Sequence, residues 1–248
     1  MLHKIWEVPT VERVYNACRQ GIKDVNILVV VGIKAKDVME VIGKREATLF
    51  AYQENQNGTG HAVQVALDRI NGNLKDGIVY VLPGDMGLID SETLIMFRDE
   101  FKTSGSDMLV LTGKFEGNVE ENNYGRILRV KEKDDSGKSS GSDEGKVIEI
   151  IEYKDIHSIP DDKSYTAAFN GRKYTYSKNE LINNIEFNSS VYAFRYDKLV
   201  ELIYSLTSDN AQKEIYITDL ISLFNKKGYS VNAISPIHQY TVMGFNNK

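Results

Sequence analysis

Four short apolar runs, each separated from the next by a helical stretch, constrain the fold of this chain more than any other feature. The runs are NILVVVG, TLFAYQ, GIVYVL and DMLVLTGKF, and all of them lie in the first half. Strands that are apolar on both faces are typical of mostly parallel sheets covered by helices on each side. Helical patterns are predicted between them, near 36–42, 59–70 and 91–101. The first half therefore predicts a three-layer, Rossmann-like α/β fold.

The second half has a different pattern. GRILRVKEK and KVIEIIEYK alternate apolar and polar residues like antiparallel strands, and DDSGKSSGSDEG between them predicts a mobile surface loop. A further strand (FNSSVYAFR), helices near 198–206 and 218–225, and a last strand (SVNAISPI) follow, whereas 156–186 has no clear periodicity. With no repeat and no linker, residues 1–248 are predicted to form a single domain with a mixed, mostly parallel sheet.

The chain begins with a helical pattern in place of a strand. MLHKIWEVPTVERVYNACRQG predicts a helix that Thr10 caps and Gly21 ends. Alternating α/β folds normally begin with a strand, because each crossover helix runs from one strand to the next. The order of elements therefore raises the question of which strand belongs before this helix.

Charge and cysteine content exclude several classes of protein. A formal net charge of −5 argues against broad binding to nucleic acid, although a local basic cleft for a nucleotide stays possible. The single cysteine, Cys18, excludes an internal disulfide and a four-cysteine zinc site, and its place in an apolar helix stripe predicts a buried thiol. No apolar run approaches the roughly 20 residues that span a bilayer, and no signal peptide is evident, so a cytoplasmic location is expected.

The segment QENQNGTGHAV places a threonine between two glycines where a strand gives way to a helix. Glycines allow the backbone to approach a ligand closely, and free N–H groups at a helix start attract anionic or carbonyl oxygens. The alternative is an ordinary helix cap by Thr59, which such a short motif alone favours. By the same reasoning, His61 is expected to be a packed or solvated side chain and not a catalytic one.

The segment VYVLPGDMGLID delivers Asp85 just past the carboxyl end of an apolar strand. Ligands bind at this edge of open α/β sheets, and Gly84 permits a close approach to the backbone. A carboxylate here commonly holds Mg²⁺, which takes oxygen ligands and leaves room for substrate phosphates. The alternative is that Asp85 caps the next helix, but Ser91 is better placed for that role, so a functional Asp85 is favoured.

Three more residues lie at strand edges: Gly125 in NNYGRI, Glu152 in IIEYKD and Asn188 in EFNSSVYAF. Each alone indicates a turn or a solvated face. The C-terminal VMGFNNK alone indicates a polar tail that frays.

Taken in order, these segments resemble the sugar-nucleotide pyrophosphorylase family, and within it the uridyltransferases that act on N-acetylglucosamine 1-phosphate. PTVERVYNA, VVVGIKAKDV and NAQKEIYITDLI extend the resemblance over nearly the whole chain. It implies a GT-A-like nucleotidyltransferase fold.

In that family a first strand and a glycine-rich phosphate loop precede the position of LHK, so both are expected to be missing here. Either the start codon was assigned too far downstream, or the chain is a shortened relative. The chain also stops where bifunctional members continue into a left-handed β-helix acetyltransferase domain. Acetyltransferase activity and the trimer that the β-helix builds are therefore not expected.

The resemblance assigns roles motif by motif. Gln53, Gly58 and Thr59 would contact uracil, with Gly84 also on the nucleotide. Asp85 would bind Mg²⁺ together with Asn246. Gly125, Glu152 and Asn188 would hold the amino sugar and the ribose. The implied reaction joins UTP and a sugar 1-phosphate, expected to be N-acetylglucosamine 1-phosphate, to give a UDP-sugar and pyrophosphate without a covalent enzyme intermediate.

Three departures from the family pattern put the identity of the sugar in question. Pro83 replaces the usual tyrosine before Gly-Asp, Ser189 and Ser190 replace Thr-Gly after Asn188, and the segment 156–186 is long where the acceptor sugar is expected. Two alternatives therefore stay open. The same fold could act on another nucleotide or sugar phosphate, or the chain could be a catalytically impaired relative that binds a sugar nucleotide.

Overall fold

The computed structural model describes residues 1–70 and 76–244. Its strands are β1 (Lys4–Ile5), β2 (Val8–Pro9), β3 (Ile27–Val31), β4 (Thr48–Tyr52), β5 (Ile78–Val81), β6 (Met108–Lys114), β7 (Arg126–Arg129), β8 (Val147–Ile151), β9 (Ser164–Phe169), β10 (Arg172–Ser177), β11 (Glu186–Arg195) and β12 (Val231–Ile234). Its helices are α1 (Thr10–Gly21), α2 (Ala35–Ile42), α3 (Thr59–Ile70), α4 (Ser91–Thr103), α5 (Tyr153–Ser158), α6 (Lys178–Asn183), α7 (Tyr196–Ile203) and α8 (Leu220–Lys226).

The main sheet is built around the long strand β11. One edge of β11 pairs with β6, and the other pairs with β7 near its start and with β5 toward its end, all antiparallel. β12 extends the sheet parallel to β6, and β8 extends it antiparallel to β7. Four strands (β5, β6, β7 and β12) therefore share one direction, and β8 and β11 oppose them. The sheet is mixed, and β11 separates β5 from β6.

Alternation along the strands produces two cores, one on each face of this sheet. On β6, Met108 and Val110 pack with α3, α7 and α8, whereas Leu109 and Leu111 pack with α1 and α4. Successive side chains of a strand point to opposite faces, so one apolar strand supplies both cores. This arrangement confirms the three-layer α/β architecture.

Strands β3 and β4 form a separate parallel pair, and within the described residues β3 is not paired with β5. Helix α1 contacts both parts of the fold. Its Val14 and Cys18 pack into the core that β6 and β11 supply, while Val11 and Tyr15 pack with α2 and β3. Helix α3 also contacts β3 and β4, while its side chains enter the other core of the main sheet. The two helices thus hold the small sheet beside the large one.

The segment without periodicity contains α5, the β9–β10 hairpin and α6. Asn170 and Gly171 turn the hairpin with φ of 48° and 74°, as type I′ turns require, so this Asn-Gly pair is the signal that predicts it. Tyr174 packs with β7 and β8 and bonds Ser140. Asp135 accepts hydrogen bonds from Thr175, so the polar loop predicted to be mobile has fixed contacts with the hairpin.

The structure corrects two predicted helix caps. Asp90, and not Ser91, caps α4, because its carboxylate accepts the Thr93 N–H. Helix α1 has no side-chain cap: the Thr10 hydroxyl donates to the Met1 carbonyl.

Cys18 is buried as predicted, and burial raises the pKa of its thiol to about 12, so it is not a reactive thiolate. Among the described residues, no helix has the length and apolarity that a bilayer crossing requires.

Candidate functional site

Gln53 lies at the carboxyl end of β4, in the small parallel sheet. Its backbone N–H donates to the Val31 carbonyl, which continues the β3–β4 ladder by one residue. Its side-chain Nε2 donates to the Gly58 carbonyl at 3.2 Å and contacts Nδ1 of His61 at 3.0 Å. Gln53 and Gly58 therefore belong to one turn, and His61, expected to be only packed or solvated, is hydrogen-bonded to a predicted site residue.

The turn that carries Gly58 docks on a distant backbone segment. The Ile215 N–H donates to the Asn57 carbonyl at 2.7 Å, and the Gly60 N–H donates to the Ile215 carbonyl at 2.8 Å. Gly58 has φ of +101°, and a Cβ there would lie 2.7 Å from the Ile215 carbonyl oxygen. A glycine is required at this position by both conformation and space.

Thr59 connects the same turn to the next residues of that segment. As the first residue of α3, it accepts the Ile217 N–H on its Oγ1 at 3.2 Å. The hydroxyl therefore anchors the backbone that leads into Thr218.

Gly125, Glu152 and Asn188 come together where β7, β8 and β11 adjoin. The Asn188 N–H donates to the Gly125 carbonyl at 2.9 Å. A Cβ on Gly125 would lie 3.0 Å from Oε2 of Glu152, so the absence of a side chain there makes room for the carboxyl group. Residues far apart in sequence thus form one cluster, called the sugar cluster below.

The Glu152 carboxyl group is largely desolvated. Burial raises its pKa to about 7; the Thr218 hydroxyl, which donates to Oε1 at 3.2 Å, opposes the rise, and the charges of Asp155 and Asp219 add to it. Thr218 follows Ile217, the residue anchored by Thr59. One short segment therefore contacts both the Gln53 turn and the sugar cluster.

Asn188 is held by two donors from its own strand. The Ser190 N–H and the Tyr192 hydroxyl each donate to Oδ1 at 2.9 Å, and Asn188 is only 4% exposed. A register shift in the β6–β11 ladder lies at this point, and Ser190 has φ of +64°. Ser190 therefore adopts the left-handed conformation that glycine favours, at the position where the family pattern has glycine.

Asp85 lies just past the carboxyl end of β5. Its carboxylate makes no hydrogen bond or ion pair with the rest of the chain over 1–70 and 76–244. Burial raises the pKa of Tyr124, a hydrogen bond with Gly244 lowers it, and the charge of Asp85 raises it, which places Asp85 near Tyr124. The Gly244 N–H donates to the Tyr124 hydroxyl at 2.9 Å, so Gly244, the last described residue, lies in the neighbourhood of Asp85.

The predicted metal pair is described only in part. Asn246 lies outside the described residues. Within them, no group of three or more His, Cys, Asp or Glu side chains is arranged to hold a metal ion. A free carboxylate nevertheless suits Mg²⁺, which takes oxygen ligands and can draw several of them from substrate phosphates and water. The magnesium role of Asp85 stays a prediction.

Gly84, the other predicted nucleotide contact, lies against the first residue of the chain. A side chain on Gly84 would overlap the Met1 Sδ. The Met1 carbonyl accepts the Thr10 hydroxyl and the Val11 N–H, which fix the residue at the start of α1. The Met1 side chain therefore lies against Gly84, which is half-buried.

Four residues of the site were not assigned to it from the sequence. Tyr192 and Thr218 were not singled out, His61 was expected to be only packed or solvated, and Ser190 was noted only as a departure from the family pattern. Each acts on a predicted residue through a hydrogen bond, and no local pattern marks such a partner. Thr218 lies in NAQKEIYITDLI, one of the segments that carry the family resemblance, and that is the one signal available for it.

Known proteins similar to this chain were found by sequence. The bifunctional protein GlmU of Acetivibrio thermocellus is 32% identical over 248 residues, covering all of this chain and 45% of that protein. GlmU of Clostridium tetani is 32% identical over 249 residues, covering all of this chain and 46% of that protein. The chain thus spans less than half the length of these curated relatives. No family model matches the chain.

Solved structures share the fold at low sequence identity. A nucleoside-diphosphate-sugar pyrophosphorylase from Vibrio cholerae superposes with a TM-score of 0.59 at 15% identity, covering 96% of this chain and 84% of the other. A UDP-glucose pyrophosphorylase complexed with UDP-glucose superposes with a TM-score of 0.60 at 13% identity, covering 94% and 81%. These matches show the same α/β nucleotidyltransferase fold.

Proposed function

The chain belongs to the sugar-nucleotide pyrophosphorylase family, and from this membership and the geometry of its site we propose that it transfers a uridylyl group from UTP to a sugar 1-phosphate. The products are a UDP-sugar and pyrophosphate. N-acetylglucosamine 1-phosphate is the proposed acceptor, because the similar curated proteins are GlmU and because the family resemblance assigns Gly125, Glu152 and Asn188 to the sugar.

One observation carries this proposal. The segment Ile215 to Thr218 is bonded on one side to the turn of Gly58 and Thr59 and on the other to Glu152. The residues proposed for uracil and those proposed for the sugar are therefore linked through one short segment. A UDP-sugar has its base and its sugar at opposite ends of a single molecule, and these two linked groups of residues suit its two ends.

The chemistry requires positioning and charge neutralisation more than covalent catalysis. The 1-phosphate oxygen of the sugar attacks the α-phosphorus of UTP, and pyrophosphate leaves in line. Mg²⁺ bound at Asp85 and Asn246 would neutralise charge that develops on the phosphates. The protein holds the acceptor through Glu152 and Asn188, which fixes the attacking oxygen relative to the nucleotide.

A specific observation also supports the second candidate, a sugar-nucleotide-binding protein without turnover. The Met1 side chain lies against Gly84, where a nucleotide contact was predicted. If it stays there when a nucleotide binds, the base and sugar contacts are kept and the alignment of the triphosphate is lost.

The test measures UDP-sugar formation and pyrophosphate release by the 248-residue chain with UTP, N-acetylglucosamine 1-phosphate and Mg²⁺. Glucose 1-phosphate and CTP are run in parallel as alternative substrates. Mg²⁺-dependent formation of UDP-N-acetylglucosamine supports the proposal. Tight binding of UDP-N-acetylglucosamine in calorimetry without turnover supports the second candidate, and neither binding nor turnover with any pair would refute both.

A further inference from the structure

Two side-chain amides in the site have one end occupied by the protein and the other end unpaired. In Gln53 the occupied end is Nε2, which faces the Gly58 carbonyl and His61 Nδ1. A carbonyl oxygen can only accept, so the amide atom that it meets must be the nitrogen. Oε1 of Gln53 makes no hydrogen bond within 1–70 and 76–244.

In Asn188 the occupied end is the oxygen. The Ser190 backbone N–H can only donate, so the amide atom that it meets must be Oδ1. The Tyr192 hydroxyl donates to the same atom. Nδ2 of Asn188 therefore has no partner in the described part of the chain, and its two hydrogens are available to a ligand.

We propose that His61 and Tyr192 are positioning residues that hold these two amides in opposite orientations. Gln53 then offers an acceptor to the base, and Asn188 offers donors to the sugar. This inference rests on the proposed function, and it adds the residues that set the selectivity of each half of the site.

On the base side, the orientation of Gln53 selects uracil over cytosine. Uracil carries a hydrogen on N3, whereas N3 of cytosine is a lone-pair acceptor. When Oε1 of Gln53 lies opposite N3, it accepts a hydrogen bond from the N3–H of uracil, whereas in cytosine it faces a second acceptor, the N3 lone pair. A site that depends on a hydrogen bond rejects an analogue that cannot form it. The Gly58 carbonyl defines this orientation, and His61 reinforces it when its Nδ1 accepts from the same Gln53 Nε2.

On the sugar side, Asn188 and Glu152 offer complementary partners around Gly125. Asn188 Nδ2 donates, whereas Glu152 Oε2 accepts when the carboxyl group is ionised. A sugar hydroxyl both donates and accepts, so two neighbouring hydroxyl groups, or a hydroxyl beside an amide oxygen, satisfy this pair.

Tyr192 keeps Asn188 in that orientation from a position that is only 1% exposed. Burial raises the pKa of Tyr192 far above its ordinary value, so the hydroxyl stays protonated and donates to Asn188. Ser190, which replaces the glycine of the family pattern, supports the same orientation through its backbone N–H, which donates to Oδ1 of Asn188.

The experiment compares two matched variants, His61→Phe and Tyr192→Phe. Each keeps an aromatic ring and removes one polar partner of an amide. His61→Phe is expected to lower the ratio of kcat/KM for UTP over CTP about fivefold, with the KM for N-acetylglucosamine 1-phosphate unchanged. Tyr192→Phe is expected to raise that KM about tenfold, with the UTP/CTP ratio unchanged. Each variant therefore controls for general loosening of the fold in the other.

Equal effects of both variants on both readouts would overturn the inference, as would an unchanged UTP/CTP ratio in His61→Phe or an unchanged sugar KM in Tyr192→Phe. A wild-type chain with neither turnover nor binding would instead refute the proposed function. In that case the side-chain NH₂ signals of Gln53 and Asn188 in ¹⁵N spectra, assigned by their loss in alanine variants, report the orientation directly. The inference is supported if the chemical shifts of the Gln53 NH₂ signals change only in His61→Phe and those of the Asn188 NH₂ signals change only in Tyr192→Phe. It is overturned if the signals of either amide are unchanged in the variant of its own partner.

Discussion

Replacing Glu152 with glutamine is predicted to stabilise the folded protein at neutral pH while it weakens the sugar site. Burial raises the pKa of this carboxyl group from 4.5 to about 7. Between these values the folded protein keeps a proton that the unfolded chain has released, so stability falls as pH rises from about 4.5 to about 7. A difference of about 2.5 between the folded and unfolded pKa corresponds to about 3 kcal/mol of unfolding free energy.

Glutamine removes this ionisation and keeps the oxygen that accepts the Thr218 hydroxyl. At pH 8 we therefore expect Glu152→Gln to be about 3 kcal/mol more stable than the wild type, and at pH 4.5 nearly equal to it. Urea unfolding followed by circular dichroism at several pH values between 4.5 and 8 measures the difference. Part of the pH dependence should persist in the variant, because burial and neighbouring carboxylates also raise the pKa of Asp219, to about 6.

Glu149→Gln is the matched control. Glu149 lies on β8, which ends one residue before Glu152, and burial raises its pKa as well, but it accepts a hydrogen bond from Ser222 and lies outside the sugar cluster. Both variants should gain stability at pH 8, whereas only Glu152→Gln should raise the KM for the sugar phosphate, by about tenfold. If Glu152→Gln lost stability in parallel with the wild type between pH 5 and 7, Glu152 would have an ordinary pKa and the argument from burial would be wrong.

Three further predictions concern the nucleotide side. Asp85→Ala should lower UTP-dependent pyrophosphate release at least about a hundredfold at saturating Mg²⁺, because it removes the free carboxylate at the sheet edge; wild-type turnover would exclude a metal role. Gln53→Ala should lower the kcat/KM ratio of UTP over CTP about tenfold, and an unchanged ratio would place base selectivity elsewhere. Gly58→Ala should lower the unfolding free energy by about 1–3 kcal/mol in urea titrations, because φ is +101° and the Cβ would approach the Ile215 carbonyl; wild-type stability would show that the turn can shift without cost.

The hydrogen-bond partners of the site residues came only from the tertiary structure. Thr218 donates to Glu152 across 66 residues of sequence, and Thr59 accepts from Ile217 across 158. The raised pKa of Glu152 is hidden for the same reason, because the burial that raises it most and the charge of Asp219 come from elements that meet only in the fold. Asp155, which also raises it, lies within IIEYKD, but a nearby carboxylate without the burial does not indicate a pKa near 7.

The sequence by itself determined the class of fold and most of the larger elements, whereas α5, the β9–β10 hairpin and α6 were not predicted. Apolar runs of strand length and helical periodicity are local properties, and they placed α3 at Thr59–Ile70 and marked Gly125, Glu152 and Asn188 as strand-edge residues. The neighbours within the sheet were decided only in three dimensions, since β11 lies between β5 and β6 although it follows them far along the chain. Period-2 alternation shows which face a side chain takes but not which strand lies beside it, because that choice depends on how helices on both faces pack together.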